Sequence, residues 1–121
     1  MQIRQLLVDA HRCAGPLDDA DTLAGAVDDA ARSVGATIVE RARARYVPHG
    51  VTVVAILAES HVVLSTWPEH RLALVDILLC NGVMDPREAW EVLAAVLQPS
   101  EIVATEAARG LVPSTPKPAV G

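Results

Sequence analysis

Ala58-Glu59-Ser60-His61-Val62-Val63-Leu64-Ser65-Thr66-Trp67-Pro68-Glu69-His70 is the stretch on which the reading of this chain turns. It joins two apolar runs of strand length, Val51 to Ala58 and Val62 to Thr66, with a Glu59-Ser60-His61 seam between them. Runs of this length, rich in branched side chains and bounded by polar residues, read as paired strands. Trp67-Pro68-Glu69 then breaks the pattern, because proline has no N–H for a strand ladder, and Ala73 to Leu79 resumes it as a further strand. Upstream, Thr37 to Val47 alternates clearly: Ile38, Ala42, Ala44 and Tyr46 share one face, and Arg41, Arg43 and Arg45 the other. That is a strand with one wet side, and Pro48-His49-Gly50 turns the chain after it.

The flanks supply two helices. From Asp21 onward, Leu23, Val27, Ala30, Ala31 and Val34 recur at helical spacing until Gly35 supplies a stop, and Asp18, Asp19 and Asp21 suit the positive end of that helix. These acids, with Asp28 and Asp29, lack the loop spacing of a calcium site and read as solvated helix charges. Asp85-Pro86-Arg87-Glu88 opens a second helix, with Asp85 as cap, Pro86 in the first position and Glu88 placed to reach back. Its stripe is Ala89, Val92, Leu93 and Val96, and Pro99 follows its end. Ile3 to Ala10 and Ile102 to Ala107 read as the first and last strands. The order predicts an α+β fold: a two-layer sandwich in which an antiparallel sheet carries two helices on one face. The domain spans residues 1–110, and residues 111–121, with three prolines and no apolar period, read as a disordered tail.

Composition narrows the function classes. The net charge of −5 over 121 residues argues against nucleic acid or an anionic membrane as partner. Cys13 and Cys80 show no metal-ligand spacing, so no metal site is expected. Met1 to Asp9 has no apolar segment of signal-peptide length, and no apolar run is long enough to span a bilayer. A reducing cytoplasm with both thiols free is the expectation. Phenylalanine is absent, so the core relies on Val, Leu, Ile and Ala, and a second subunit is a natural way to bury more area.

Glu59-Ser60-His61, Tyr46-Val47-Pro48-His49-Gly50-Val51, Thr66-Trp67-Pro68-Glu69, the strand from Asp76 to Cys80 and the Asp85-Pro86 helix start occur in the order and spacing of one family. Together they resemble the small prokaryotic form of the pyruvoyl-dependent S-adenosylmethionine (AdoMet) decarboxylase proenzymes, from the first strand to about Gly110. The resemblance implies self-cleavage between Glu59 and Ser60. The Ser60 hydroxyl attacks the Glu59 carbonyl, the peptide becomes an ester, and removal of the Ser60 α-proton eliminates the chain ending at Glu59. The remaining dehydroalanine takes up water, loses ammonia and becomes a covalent pyruvoyl group. That ketone condenses with the substrate amine and accepts the electrons released as carbon dioxide leaves.

The resemblance also implies roles for particular residues. Thr52 falls where the family has a serine that assists processing, Cys80 where a cysteine protonates the decarboxylated carbon, Tyr46 where an aromatic stacks on adenine, and Glu69 where a carboxylate holds the ribose hydroxyls. Trp67 lies beside that pocket. At Ser65 the family has a histidine credited with proton transfer during processing. A serine hydroxyl is a poor base near neutral pH, and general acid–base help is worth about a hundredfold to ten-thousandfold. His61 shares strand parity with Ser65 and is the first candidate to replace it, with His70 also near. The partners implied are a small amino-acid-type substrate, AdoMet, and a second copy, giving a homodimer of cleaved heterodimers in spermidine biosynthesis. Two other readings stay open: a relative repurposed for ornithine or arginine, with Arg71 in the turn after the motif, and an unprocessed, non-catalytic paralogue that binds a partner subunit.

Overall fold

The computed structural model describes residues 2–110, and the segment read as a tail, 111–121, lies outside the described residues. The elements are β1 (Gln2–His11), α1 (Ala20–Ser33), β2 (Ile38–Arg45), β3 (Val51–Leu57), β4 (Ser60–Trp67), a 3-10 turn (Pro68–His70), β5 (Leu72–Leu79), α2 (Pro86–Leu97) and β6 (Glu101–Gly110). The strands form one six-stranded sheet in the order β2-β3-β4-β5-β1-β6, every neighbouring pair antiparallel.

Alternation decides which face is covered. Val51, Val53, Ala55 and Leu57 of β3, Val62, Leu64 and Thr66 of β4, and Ala73, Val75, Ile77 and Leu79 of β5 are buried on one side. Leu6, Val8 and Ala10 of β1 join them. Both helices close that side. The buried stripe Leu23, Ala26, Val27, Ala30 and Ala31 of α1 packs on β3, and Ala89, Trp90, Leu93 and Leu97 of α2 pack on β5 and β1. The expected two-layer α+β sandwich is therefore present, with Trp90 as the one aromatic ring of the core among the described residues. The opposite face is open: Leu7, Ile56 and Trp67 are exposed on it, and Val54, Val63, Leu74 and Leu78 are half-covered. Among the described residues no helix is long and apolar enough to cross a membrane.

Helix ends follow the expected chemistry with small shifts. Asp19, one of the acids placed at the start of α1, caps it by accepting from Thr22 N (3.1 Å), and Gly35 follows with φ +77°. Asp85 caps α2 by accepting from Arg87 N at 2.9 Å. The expected return bond from the Glu88 side chain is absent among the described residues; Glu88 N instead donates to Asp85 O. The strand boundaries lengthen at the seam: β4 begins at Ser60 itself, two residues earlier than expected.

The expectation of one wet side on β2 needs correction, because Ala42, Ala44 and Tyr46 are exposed as well. Arg41, Arg43 and Arg45 are exposed, as expected, but their side chains lie on the helix side of the sheet and pair with acids near or on α1. Arg41 meets Asp28 (2.9 Å), Arg43 meets Asp21 (2.6 Å) and Arg45 meets Asp18 (3.9 Å). Those acids are partners rather than simply solvated charges. Period-two alternation shows that three residues share a face, not which face it is. Each such pair is worth about 0–1 kcal/mol in solvent, so their consequence is chiefly to keep the β2 edge charged and unpaired. At the other margin, Glu106 on β6 accepts from Arg4 on β1 (2.6 Å) and from Arg87 on α2 (2.8 Å), and these hydrogen bonds hold its carboxyl below the usual range.

Candidate active site

The Glu59–Ser60 junction is the link of the β3–β4 hairpin. Leu57 pairs with Ser60, leaving Ala58 and Glu59 as the two loop residues. Glu59 sits in the left-handed region at φ +62°. For a residue with a Cβ this costs roughly 1–2 kcal/mol, or about a thirtyfold factor in a rate at most if it is all released in the transition state. Backbone strain at the junction is real but smaller than the acid–base help that such a rearrangement needs. Ser60 Oγ accepts from the backbone N–H of Cys80 at 3.0 Å, which fixes the hydroxyl oxygen beside the residue that follows β5. The Cys80 thiol, partly exposed and not in a disulfide, lies 3.8 Å from both Ala58 O and Glu59 Oε2. Glu59, Ser60 and Cys80 therefore form one cluster.

A second cluster stands at the far end of the same hairpin, on the open face. Tyr46 Oη donates to Thr52 Oγ1 (2.9 Å), and Thr52 Oγ1 and Ser65 Oγ share a further hydrogen bond of 2.9 Å. Thr52 and Ser65 are direct cross-strand partners, so the register of β3 on β4 creates the contact. Tyr46, His49, Ser65, Thr66, Trp67 and Glu69 line a cleft of about 330 Å³, within the usual size of small-molecule sites. Two devices hold its wall. Gly50 has φ +111°, and a Cβ there would crowd Thr66 O at 3.1 Å and the Tyr46 ring at 3.4 Å. Asp18 accepts from Gly50 N (2.8 Å), while buried Thr66 accepts from Val51 N (3.0 Å) and donates to Leu17 O (2.7 Å). The segment before α1 thereby pins the turn that carries Tyr46 and His49.

Eight of the nine residues singled out in the sequence thus fall into two groups that one chain does not bring together, and His61 belongs to neither. Ser65 is five residues along β4 from Ser60, a separation of about 17 Å at 3.3–3.4 Å per residue. His61 shares the open face with Ser65, as its parity requires, but lies four residues away. Its Nε2 is 3.3 Å from Asp76 Oδ2 on β5. His70 belongs to the 3-10 turn and is exposed. Arg71 lines a different cleft, with Cys13, Gly15, Leu17 and Pro68, so it gives no support for a changed substrate at the Tyr46–Glu69 cleft.

Sequence reasoning missed His49, whose Nε2 lies 3.4 Å from Glu69 Oε2 in the cleft. It also missed Asp76, which accepts from Gln5 Nε2 at 3.0 Å. Both stand inside quoted fragments, so the signal was present. For Gln5 there was none, because its role depends on β1 lying next to β5.

Known proteins resolve the family. The family profile described as "S-adenosylmethionine decarboxylase" matches residues 4–110. A relative in Thermosipho melanesiensis named S-adenosylmethionine decarboxylase proenzyme is 32% identical over 108 residues, covering 88% of this chain and 83% of its own length. One of the same name in Aeropyrum pernix is 39% identical over 94 residues, covering 76% and 72%. The crystal structure of the adenosylmethionine decarboxylase from Aquifex aeolicus superposes with a TM-score of 0.85 at 26% identity, covering 96% of this chain and 97% of that one. With its hairpin junction at Glu59–Ser60 and its sheet-and-two-helix architecture, this chain belongs to the S-adenosylmethionine decarboxylase family.

Proposed function

We propose that the chain is a self-processing AdoMet decarboxylase that cleaves before Ser60, carries a pyruvoyl group derived from that serine, and works as a homodimer. The observation that carries this reading is the junction itself. Ser60 follows a left-handed Glu59 at a hairpin link, its hydroxyl oxygen is fixed by Cys80 N–H, and a partly exposed thiol stands beside it. These residues fit the group. The serine is a strand-end residue whose loss of its upstream peptide bond leaves the β3–β4 ladder intact, and the cluster is open enough for a substrate carbon to reach the thiol. When formed, the ketone supplies an electron sink for loss of carbon dioxide.

The other steps fall to the chain's own side chains. Cys80 Sγ holds a proton for the substrate carbon. Cys80 N–H fixes the position of the Ser60 oxygen beside the junction, an orienting contact for acyl transfer. Tyr46 offers a ring face to adenine and Glu69 accepts from the ribose hydroxyls, with Trp67 closing the cleft. The 17 Å gap between the clusters supports a dimer: stacking two open faces about a two-fold axis lets one copy's Tyr46–Glu69 cleft meet the other's Ser60. The half-exposed apolar residues of that face would be covered in the same step.

Two measurements test this. Purified protein should give two masses, one ending at Glu59 and one starting from a blocked residue 60, and should release carbon dioxide from AdoMet faster than from ornithine or arginine. A single uncleaved mass with no turnover would leave only the binding-subunit reading. Ser65→His should accelerate maturation by about tenfold or more, by placing a base where the Tyr46–Thr52–Ser65 hydroxyls offer none. Time-resolved intact mass reads the rate, and an unchanged rate would show that the missing imidazole at position 65 does not limit maturation.

A further inference from the structure

Four polar side chains from four adjacent strands form a row across the open face. Arg109 Nη1 on β6 donates to Gln5 Oε1 on β1 at 3.0 Å. Gln5 Nε2 donates to Asp76 Oδ1 on β5 at 3.0 Å. Asp76 Oδ2 lies 3.3 Å from His61 Nε2 on β4, and His61 is the residue after Ser60. Apolar neighbours border the row: Leu7 is the cross-strand partner of Asp76 on β1, Val63 its partner on β4, and Ile56 and Leu78 flank His61.

The order of donors leaves each group one choice. Arginine has only donors, so it fixes Gln5 with its oxygen toward β6 and its NH2 toward β5. That NH2 occupies Asp76 Oδ1, which leaves Oδ2 for the imidazole. His61 Nε2 is, among the described residues, the buried side-chain nitrogen or oxygen without an aligned hydrogen bond. The carboxylate stands at ion-pair distance but off the ring N–H line, a slackness common in resting sites that a small ring rotation removes. A carboxylate at Nε2 favours the tautomer with the proton there and leaves Nδ1, the ring nitrogen nearer the main chain, with its lone pair free.

We propose that Asp76, held by Gln5 and Arg109, is the positioning residue that makes His61 the proton acceptor for self-cleavage. The proposal rests on the self-processing reading above. In the elimination step, His61 Nδ1 takes the Ser60 α-proton, and the C–H electron pair becomes the Cα=Cβ bond of residue 60. The Cβ–O ester bond breaks, and Glu59 departs as a carboxylate. The resulting imidazolium faces Asp76. Glu59 in the hairpin link and Cys80 after β5, which lie against each other, are the other ionisable groups at this end of the hairpin, while the partners of His61 from β3 and β5 in the ladder are apolar. The rival imidazole is His49, which reaches a junction only from a second copy and is turned toward Glu69 in its own cleft.

The test follows cleavage of the full chain after cell-free synthesis, by intact mass, with circular dichroism confirming the fold of each variant. His61→Ala should slow cleavage about a hundredfold or more, the lower bound of general-base help. Asp76→Asn should slow it about tenfold or more, and Asp76→Glu, which restores an anion, should recover most of the rate. Adding Asp76→Asn to His61→Ala should cost nothing further, because a positioning residue has no work without the group it positions. Equal slowing by Asp76→Asn in both backgrounds, wild-type rates in either single variant, or arrest by His49→Ala but not by His61→Ala would each overturn the proposal while self-processing stands. A wild-type chain that never cleaves would overturn both.

Discussion

A Ser60→Ala chain should remain one polypeptide of 121 residues and release no carbon dioxide from AdoMet, a complete loss against a wild type that matures and turns over. The methyl group keeps the volume near that of serine but has no oxygen to attack Glu59. The structure offers no substitute at that carbonyl. Cys80 is the other nucleophile at hand, and its sulfur lies against Ala58 O and the Glu59 side chain. Attack there would cut one residue early and leave no ketone, so a mass measurement separates the two outcomes. Loss of the fold is a poor alternative explanation. The change removes one acceptor from Cys80 N, worth about 1 kcal/mol net, at a part-buried strand end with an otherwise unaltered ladder. Two fragments from the alanine chain, or turnover without them, would remove Ser60 from the chemistry.

What could be read in advance, and what could not, divides along a physical line. Period-two alternation in β3, β4 and β5 and the caps at Asp85-Pro86 carry local information, so element types and the sandwich were legible. The junction was legible because Glu59, Ser60 and Cys80 each sit in a short recognisable fragment. Contacts between distant segments were not. Arg41, Arg43 and Arg45 read as a wet strand face, and only the lie of α1 beside β2 shows that Asp28, Asp21 and Asp18 answer them. Gln5 and Asp76 are 71 residues apart and meet because β1 inserts between β5 and β6, a topology that no local pattern encodes. Distance along a strand was the remaining gap. Parity placed His61 and Ser65 on one face, yet four residues of rise separate them by about 13 Å. The junction and the cleft therefore stand at opposite ends of one hairpin.

That division leads to a result with opposite signs under the two arrangements. A Ser60→Ala chain keeps the Tyr46–Glu69 cleft but lacks the junction chemistry. A Tyr46→Ala/Glu69→Ala chain keeps the junction and loses the cleft. Each alone should be inactive as a homodimer. Co-expressed with different tags, they should regain about a quarter of wild-type activity, since about half the dimers are mixed and each mixed dimer holds one site free of both lesions. The intact site takes Ser60 and Cys80 from the cleft-deficient chain, and Tyr46, Trp67 and Glu69 from the Ser60→Ala chain. In the mixed dimer only the cleft-deficient copy should be cleaved, which mass spectrometry of the doubly tagged fraction reads directly. If each site were built within one chain, every copy in the mixed dimer would carry its own lesion and co-expression would restore nothing. The 17 Å between Ser60 and Ser65 along β4 is too long for one AdoMet molecule to be held by Glu69 and react beside Cys80 without a large movement of the hairpin. The sheet opposes such movement, because β4 is paired on both sides from His61 to Ser65 and Val62 and Leu64 are buried beneath it. Two rigid copies that share their sites need no such movement, so regained activity in the mixed dimer is the expected outcome.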